Sequence, residues 1–236
     1  MASTDPRLNA ALNGDLERRV VIDTRAMEWS TTPSATVWRK RLHRVGPAES
    51  GQVTSVVRYA EDSRFPAHEH PEGEEILVLS GTFSDEHGDW HAGSYLLNPE
   101  GFRHAPFSRG GCELFVKLRQ FPGVDREHVV VETASADWLD GDRPGVSVLP
   151  LYSQAGYADT MHLERWVPGA SLAGKRYDEG AELFVLAGTF EDDDGAYTQG
   201  TWLRLPRGYE HHARTSAGCR LYVKLGGFHY LRASTA

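Results

Sequence analysis

His68 and His70 are one residue apart, and two adjacent carboxylates, Glu74 and Glu75, follow them in the segment FPAHEHPEGEEILVLSG, residues 65–81. Imidazole nitrogen and carboxylate oxygen are the donors that divalent transition metals take from proteins. In an extended strand, residues i and i+2 point to the same face. That places His68 and His70 together, gives Glu74 their parity and gives Glu75 the opposite one. A bend at Pro71-Glu72-Gly73 interrupts the count, so parity alone only suggests which glutamate joins the histidines.

The chain supplies a second test by repeating itself. GTF at 81–83 returns at 188–190, an offset of 188 − 81 = 107. Without gaps, this offset lays EGEEILVLSGTFSDEHG on EGAELFVLAGTFEDDDG and GCELFVKLRQF on GCRLYVKLGGF. His68, His70 and Glu74 become Lys175, Tyr177 and Ala181, whereas Glu75 stays acidic as Glu182. Glu74 changes together with the histidines, so it groups with them, and Glu75 reads as a structural residue of both copies. Weaker echoes upstream pair Trp29 with Trp138, Val37 with Val146 and Tyr59 with Trp166. The copies divide into residues 1–125 and 126–236.

The elements that must position these residues read as strands. ILVLSGTF and LFVLAGTF are short apolar runs stopped by glycine, and SDEHGDW and EDDDGAY carry hairpin turn residues. Cys112, Leu114, Val116 and Leu118 alternate with Glu113 and Lys117, which predicts one buried face and one wet face. Many short strands with glycine-rich turns give an all-β sandwich or barrel, the jelly roll among them. One short helix is expected, within residues 6–18.

Composition bounds the partners. The 236 residues carry a net charge of −8, which disfavours nucleic acid and anionic membrane surfaces. The one basic run, WRKRLHR at 38–44, reads as a strand. No apolar run approaches the roughly 18 residues of a membrane span, and the N-terminus lacks the apolar core of a signal peptide. Two cysteines, Cys112 and Cys219, suit a reducing compartment and read as small buried hydrophobes. The expected location is the cytoplasm.

With these motifs in place the chain resembles the cupin superfamily, and a bicupin. His68-x-His70-x3-Glu74-x6-Gly81 follows the first cupin motif, with Asp62 where its leading glycine would stand. Gly93-x5-Pro99-x-Gly101-x2-His104 follows the second, with Ser108 where an asparagine would stand. The EGEE…LxGTF set and the paired GC…VKL strands are most similar to the ChrR-like cupin subgroup. The resemblance implies two tandem cupin jelly-roll barrels. It implies one divalent transition metal per chain (iron, zinc, manganese or nickel), held by His68, His70, Glu74 and His104. It leaves no catalytic residue assigned.

The second barrel keeps His211 at the second-motif position beside Lys175, Tyr177 and Ala181. A cation opposes a dication, so this barrel is expected to be metal-free. The functional expectation is a metal-dependent dioxygenase acting on a small ketone or diketone. The alternative is a ChrR-like sensory cupin that binds metal or a small ligand without turnover. A sigma-factor partner is disfavoured, because the chain has no His-x3-Cys-x2-Cys motif. A homodimer pairing through sheet edges is expected.

Overall fold

The computed structural model describes residues 11–232. Apart from two single-turn 3-10 helices, the regular structure is all strand, in two compact units. Among the described residues, unit 1 contains residues 11–15, 28–134 and 229–232, and unit 2 contains residues 16–27 and 135–228. The linear repeats and the packing units are therefore divided differently: the first strand, β1 (Val20–Asp23), lies in the sheet of unit 2.

Unit 1 is built from β2 (Ser30–Thr31), β3 (Val37–Val45), β4 (Gln52–Arg64), β5 (His68–Glu69), β6 (Glu74–Asp85), β7 (Gly88–His91), β8 (Ser94–Asn98), β9 (Arg103–His104), β10 (Phe107–Leu118) and β11 (Val129–Glu132). Its main sheet runs β11-β8-β6-β10-β4-β3-β2, with β7 on β6, and β5 pairs separately with β9. Unit 2 contains β12 (Leu139–Asp140), β13 (Val146–Ser153), β14 (Thr160–Trp166), β15 (Ser171–Tyr177), β16 (Ala181–Glu191), β17 (Ala196–Thr198), β18 (Thr201–Leu205), β19 (Tyr209–Arg214) and β20 (Cys219–Leu225). Its order is β1-β18-β16-β20-β14-β13-β12, with β17 on β16 and β15 on β19. The two orders correspond strand for strand, with β1 taking in unit 2 the place that β11 takes in unit 1.

The repeat has a backbone reason as well as a packing one. Gly81 and Gly188 have φ of +71° and +72°, and a Cβ on either would run into the carbonyl of Gly111 or Gly218 across the ladder. Only glycine fits such a close approach, which is why GTF recurs. Inside unit 1, Ile76, Val78, Phe83, Leu96, Cys112, Leu114 and Val116 form an apolar cluster. The wet face expected on β10 is not wet: Phe115 is 1% and Lys117 0% exposed. Of Glu113, Phe115 and Lys117, only Glu113, 2.6 Å from Arg58, stays partly open. Period-two alternation reports which side a residue takes and not what covers that side. The expected helix falls partly on residues 1–10, outside the described residues, and residues 11–18 form a bridge and turns. Among the described residues no helix is long and apolar enough to cross a membrane.

Candidate metal centre

Three short pieces of unit 1 bring the predicted residues together. β5 carries His68, β9 carries His104 opposite it in register, and β6 starts at Glu74. Between them the chain turns at Pro71-Glu72-Gly73, with Glu72 and Gly73 at φ of +55° and +71°. This is the bend that interrupts the parity count, and it still leaves His70 and Glu74 facing one another. The Nε2 atoms of His70 and His104 are 2.9 Å apart, and Glu74 Oε2 lies 3.4 Å from the first and 3.6 Å from the second. The ring of His68 lies 4.8 Å from that of His70 and 5.4 Å from that of His104, centroid to centroid.

The three histidines form a group whose donor atoms lie mutually within 4.8 Å. Glu74 is outside that mutual set but reaches two of its members. At bond lengths of about 2.0–2.1 Å, two donors at right angles on one ion sit roughly 3 Å apart. The donor set therefore fits a divalent transition metal. Glu75 points elsewhere: it is 1% exposed and accepts a hydrogen bond from the Tyr95 hydroxyl at 2.8 Å.

The far sides of the rings are held. His104 Nδ1 lies 3.0 Å from Asp85 Oδ2, and His68 Nδ1 lies 2.9 Å from the Pro66 carbonyl. With Nδ1–H donating outward, each Nε2 presents its lone pair to the centre. Asn98 donates to Glu74 Oε2 at 2.9 Å and fixes that carboxylate. Burial holds His70 below its ordinary pKa, which favours the neutral ligand form, although Glu74 pulls the other way. Burial would also lower His104, but the Asp85 hydrogen bond and the nearby charge of Glu74 outweigh it, and the net shift is upward. Metal binding takes the neutral imidazole and so opposes this upward shift.

Beside the histidines lies a cavity of about 160 Å³. Apart from the histidines and Glu74, its wall is mostly apolar (Val37, Val57, Ile76 and Leu114 among others), with Tyr59, Ser55 and Arg39 as polar exceptions. Tyr59 packs its ring against Phe65 and Phe83. Burial, and then the charge of Glu74, push its phenol far above the ordinary range, so it stays a neutral donor.

Unit 2 has the equivalent frame with different groups. Registers place Trp166 opposite Cys219 as Tyr59 is opposite Cys112, so the expected pairing of Tyr59 with Trp166 holds. His211, 2% exposed, turns Nε2 rather than Nδ1 to Asp192, at 3.0 Å, and its Nδ1 is buried without a partner. Its register partner is Lys175, whose ammonium lies 3.7 Å from Asp142. Lys175, Leu172, Tyr177, His162 and Glu164 line a second cavity.

All four expected donors, His68, His70, Glu74 and His104, thus meet in one place. Three supporting residues did not stand out in the sequence: Asp85, Asn98 and Arg39. A signal existed for Asp85, because GTF-x-Asp occurs in both repeats, at Asp85 and Asp192.

A family model described as the ChrR cupin-like domain matches residues 17–122 and again residues 126–229. No curated protein matches the chain. Among solved structures, a candidate dioxygenase from Nostoc punctiforme superposes with a TM-score of 0.73 at 15% identity, covering 89% of this chain and 82% of that one. The protein Ylba from E. coli gives a TM-score of 0.68 at 15% identity, with 96% and 98% covered. Lactobacillus farciminis oxalate decarboxylase gives 0.61 at 12% identity, with 88% and 86% covered. At such identities the likeness is one of fold.

Proposed function

The chain belongs to the ChrR cupin-like family, once in each repeat, and from that premise we propose that His68, His70, Glu74 and His104 hold one divalent transition metal at which a small ketone or diketone reacts with dioxygen. The observation that carries this reading is the convergence of three imidazoles and one carboxylate beside a small apolar cavity. When bound, the metal supplies Lewis-acid polarisation and a route for electrons.

The chain's own residues do the rest. Asp85 and the Pro66 carbonyl orient two of the imidazoles. The apolar wall favours a small ligand with an apolar body. Tyr59 offers a neutral O–H to a ligand oxygen. One feature favours a second reading, a sensory cupin that binds without turnover. Besides the histidines and Glu74, the ionisable residues lining the cavity are Arg39 and Tyr59, and neither suits a general base.

The test is metal analysis followed by oxygen consumption. The iron-loaded protein should retain one metal per chain, change its absorption spectrum with a β-diketone, and consume dioxygen with a substrate. His104→Ala should lose both responses. Spectral change without oxygen uptake across a broad ketone set would leave the sensory reading in its place. Retention of two metals per chain would refute the single-site assignment.

A further inference from the structure

The cavity wall carries a charge that the metal centre does not explain. Arg39 is on β3, opposite Val57 of β4, and Val53, Ser55, Val57 and Tyr59 of β4 all line the cavity. Arg39 therefore faces inward. Its guanidinium lies 2.7 Å from Glu49, and Arg41, two residues on, lies 3.0 Å from the same carboxylate. Both arginine side chains are 17% exposed. Two guanidinium groups share one half-exposed carboxylate and leave one formal positive charge at the edge of the cavity, which Arg39 lines; the Nε of Arg41 is buried with no hydrogen-bond partner.

The repeat makes an internal control. The ladder pairs Val146 with Trp166 and Val148 with Glu164, as it pairs Val37 with Tyr59 and Arg39 with Val57. Val148 thus stands where Arg39 stands, and Pro150, opposite His162, stands where Arg41 stands opposite Ser55. The arginines are present in the barrel that has the histidine cluster and absent from the one that lacks it. The second cavity has cations of its own, Arg143 and Lys175, but none at the β3-equivalent positions, so the arginine pair on this strand is particular to the barrel with the histidine cluster.

We propose that the ligand of the first cavity carries a carboxylate in addition to its metal-binding oxygens, and that Arg39, supported by Arg41, receives it. The substrate class is then a small oxo acid rather than a neutral diketone. Guanidinium matches carboxylate in a two-pronged geometry that a ketone oxygen cannot complete, and the cavity, at about 160 Å³, restricts the acid to a short chain. The inference rests on the first barrel being a metal site for small carbonyl compounds, and the experiment separates the two.

Zinc-loaded protein, whose metal has no redox chemistry, is titrated calorimetrically with acetylpyruvate and with acetylacetone, which differ by the carboxylate. The wild type should bind acetylpyruvate at least about ten-fold more tightly, or ~1.4 kcal/mol. Arg39→Met should bring the ratio to near one with acetylacetone affinity unchanged, and Arg39→Lys should keep part of the preference. Equal binding of the two probes by the wild type, or a preference that survives Arg39→Met, overturns the assignment of Arg39. Repeating the titration on chelator-stripped protein tests the other premise. Acetylpyruvate binding that needs Arg39 but not zinc would sink the metal-chelation reading and leave the carboxylate site standing. Absence of binding by either probe would overturn both.

Discussion

Asp85→Asn tests the centre through a residue that stands behind one of its donors and is not itself a donor. The His104 Nδ1–Asp85 Oδ2 contact is 3.0 Å, with side chains 1% and 2% exposed, so solvent cannot replace it. The other carboxylate oxygen already accepts from the His87 amide at 2.8 Å. Asparagine keeps one oxygen for that amide and turns its NH2 toward His104. Donor then meets donor unless the imidazole proton moves to Nε2, the nitrogen that faces His70 and Glu74 and must be bare to bind metal. A hydrogen bond to a charged group contributes about 1.5–3 kcal/mol, which at ~1.4 kcal/mol per decade corresponds to a roughly 10- to 150-fold loss of zinc affinity. This agrees with the 10–100-fold typical of residues that orient metal ligands. The assay is competition with a chromophoric chelator, with melting of the metal-free proteins run alongside. Asp192→Asn is the control from the second barrel and should leave zinc affinity unchanged. If Asp85→Asn binds zinc within about two-fold of the wild type while His104→Ala loses it, the orienting argument is wrong.

His70→Ala should abolish zinc retention on a desalting column, whereas Glu75→Gln should keep it; the reverse would mean the wrong glutamate was grouped with the histidines. Cys112 and Cys219 are pushed up to about 11 and about 12 by burial, so they stay protonated at pH 8. Native protein should resist alkylation there and label fully once unfolded, and fast native labelling would contradict the burial. Burial would raise the Asp192 carboxyl, but hydrogen bonds from Tyr197, the Asp194 amide and His211, with Arg19 beside it, hold it below its ordinary value. Such a group adds stability above its unfolded pKa of about 3.9 and loses it as pH falls through the lower folded value. Asp192→Asn should therefore melt lower at neutral pH and show a smaller drop in melting temperature between about pH 5 and pH 2. Parallel acid profiles for variant and wild type would contradict this.

The grouping of Glu74 with His68 and His70 was legible because the chain contains its own comparison, whereas His104, which the repeat keeps as His211, was marked only by the resemblance to the second cupin motif. The offset of 107 separates Glu74 from Glu75, and in β6 the two take different partners, Asn98 for Glu74 and Tyr95 for Glu75. Glycine at the GTF position marked a backbone approach that recurs in both units. Other features left no local trace. Arg39 and Arg41 sit in a basic strand whose inward face is set by pairing with β4, and no spacing rule states which side of β3 faces the cavity. The burial of Phe115 and Lys117 was missed because alternation says nothing of coverage. The place of β1 was invisible for a plainer reason: its partner strand lies at the other end of the sequence.

That separation sets a clock. Thr24 follows β1 directly and is held to Gly200 by a side-chain hydrogen bond across 176 residues, whereas Ser94 on β8 meets Glu132 on β11 after only 38. At about 5–20 residues per second of synthesis, residues near β1 wait roughly 9–35 s for their partner to be made, and β11 joins β8 within about 2–8 s. During that interval β1 is an unpaired apolar edge on a nascent chain, open to the wrong sheet. A ribosome that delivers the second repeat slowly would lengthen the exposure without delaying closure of the β11–β8 ladder, so translation speed over the later half of the message governs how long the earliest strand stays at risk.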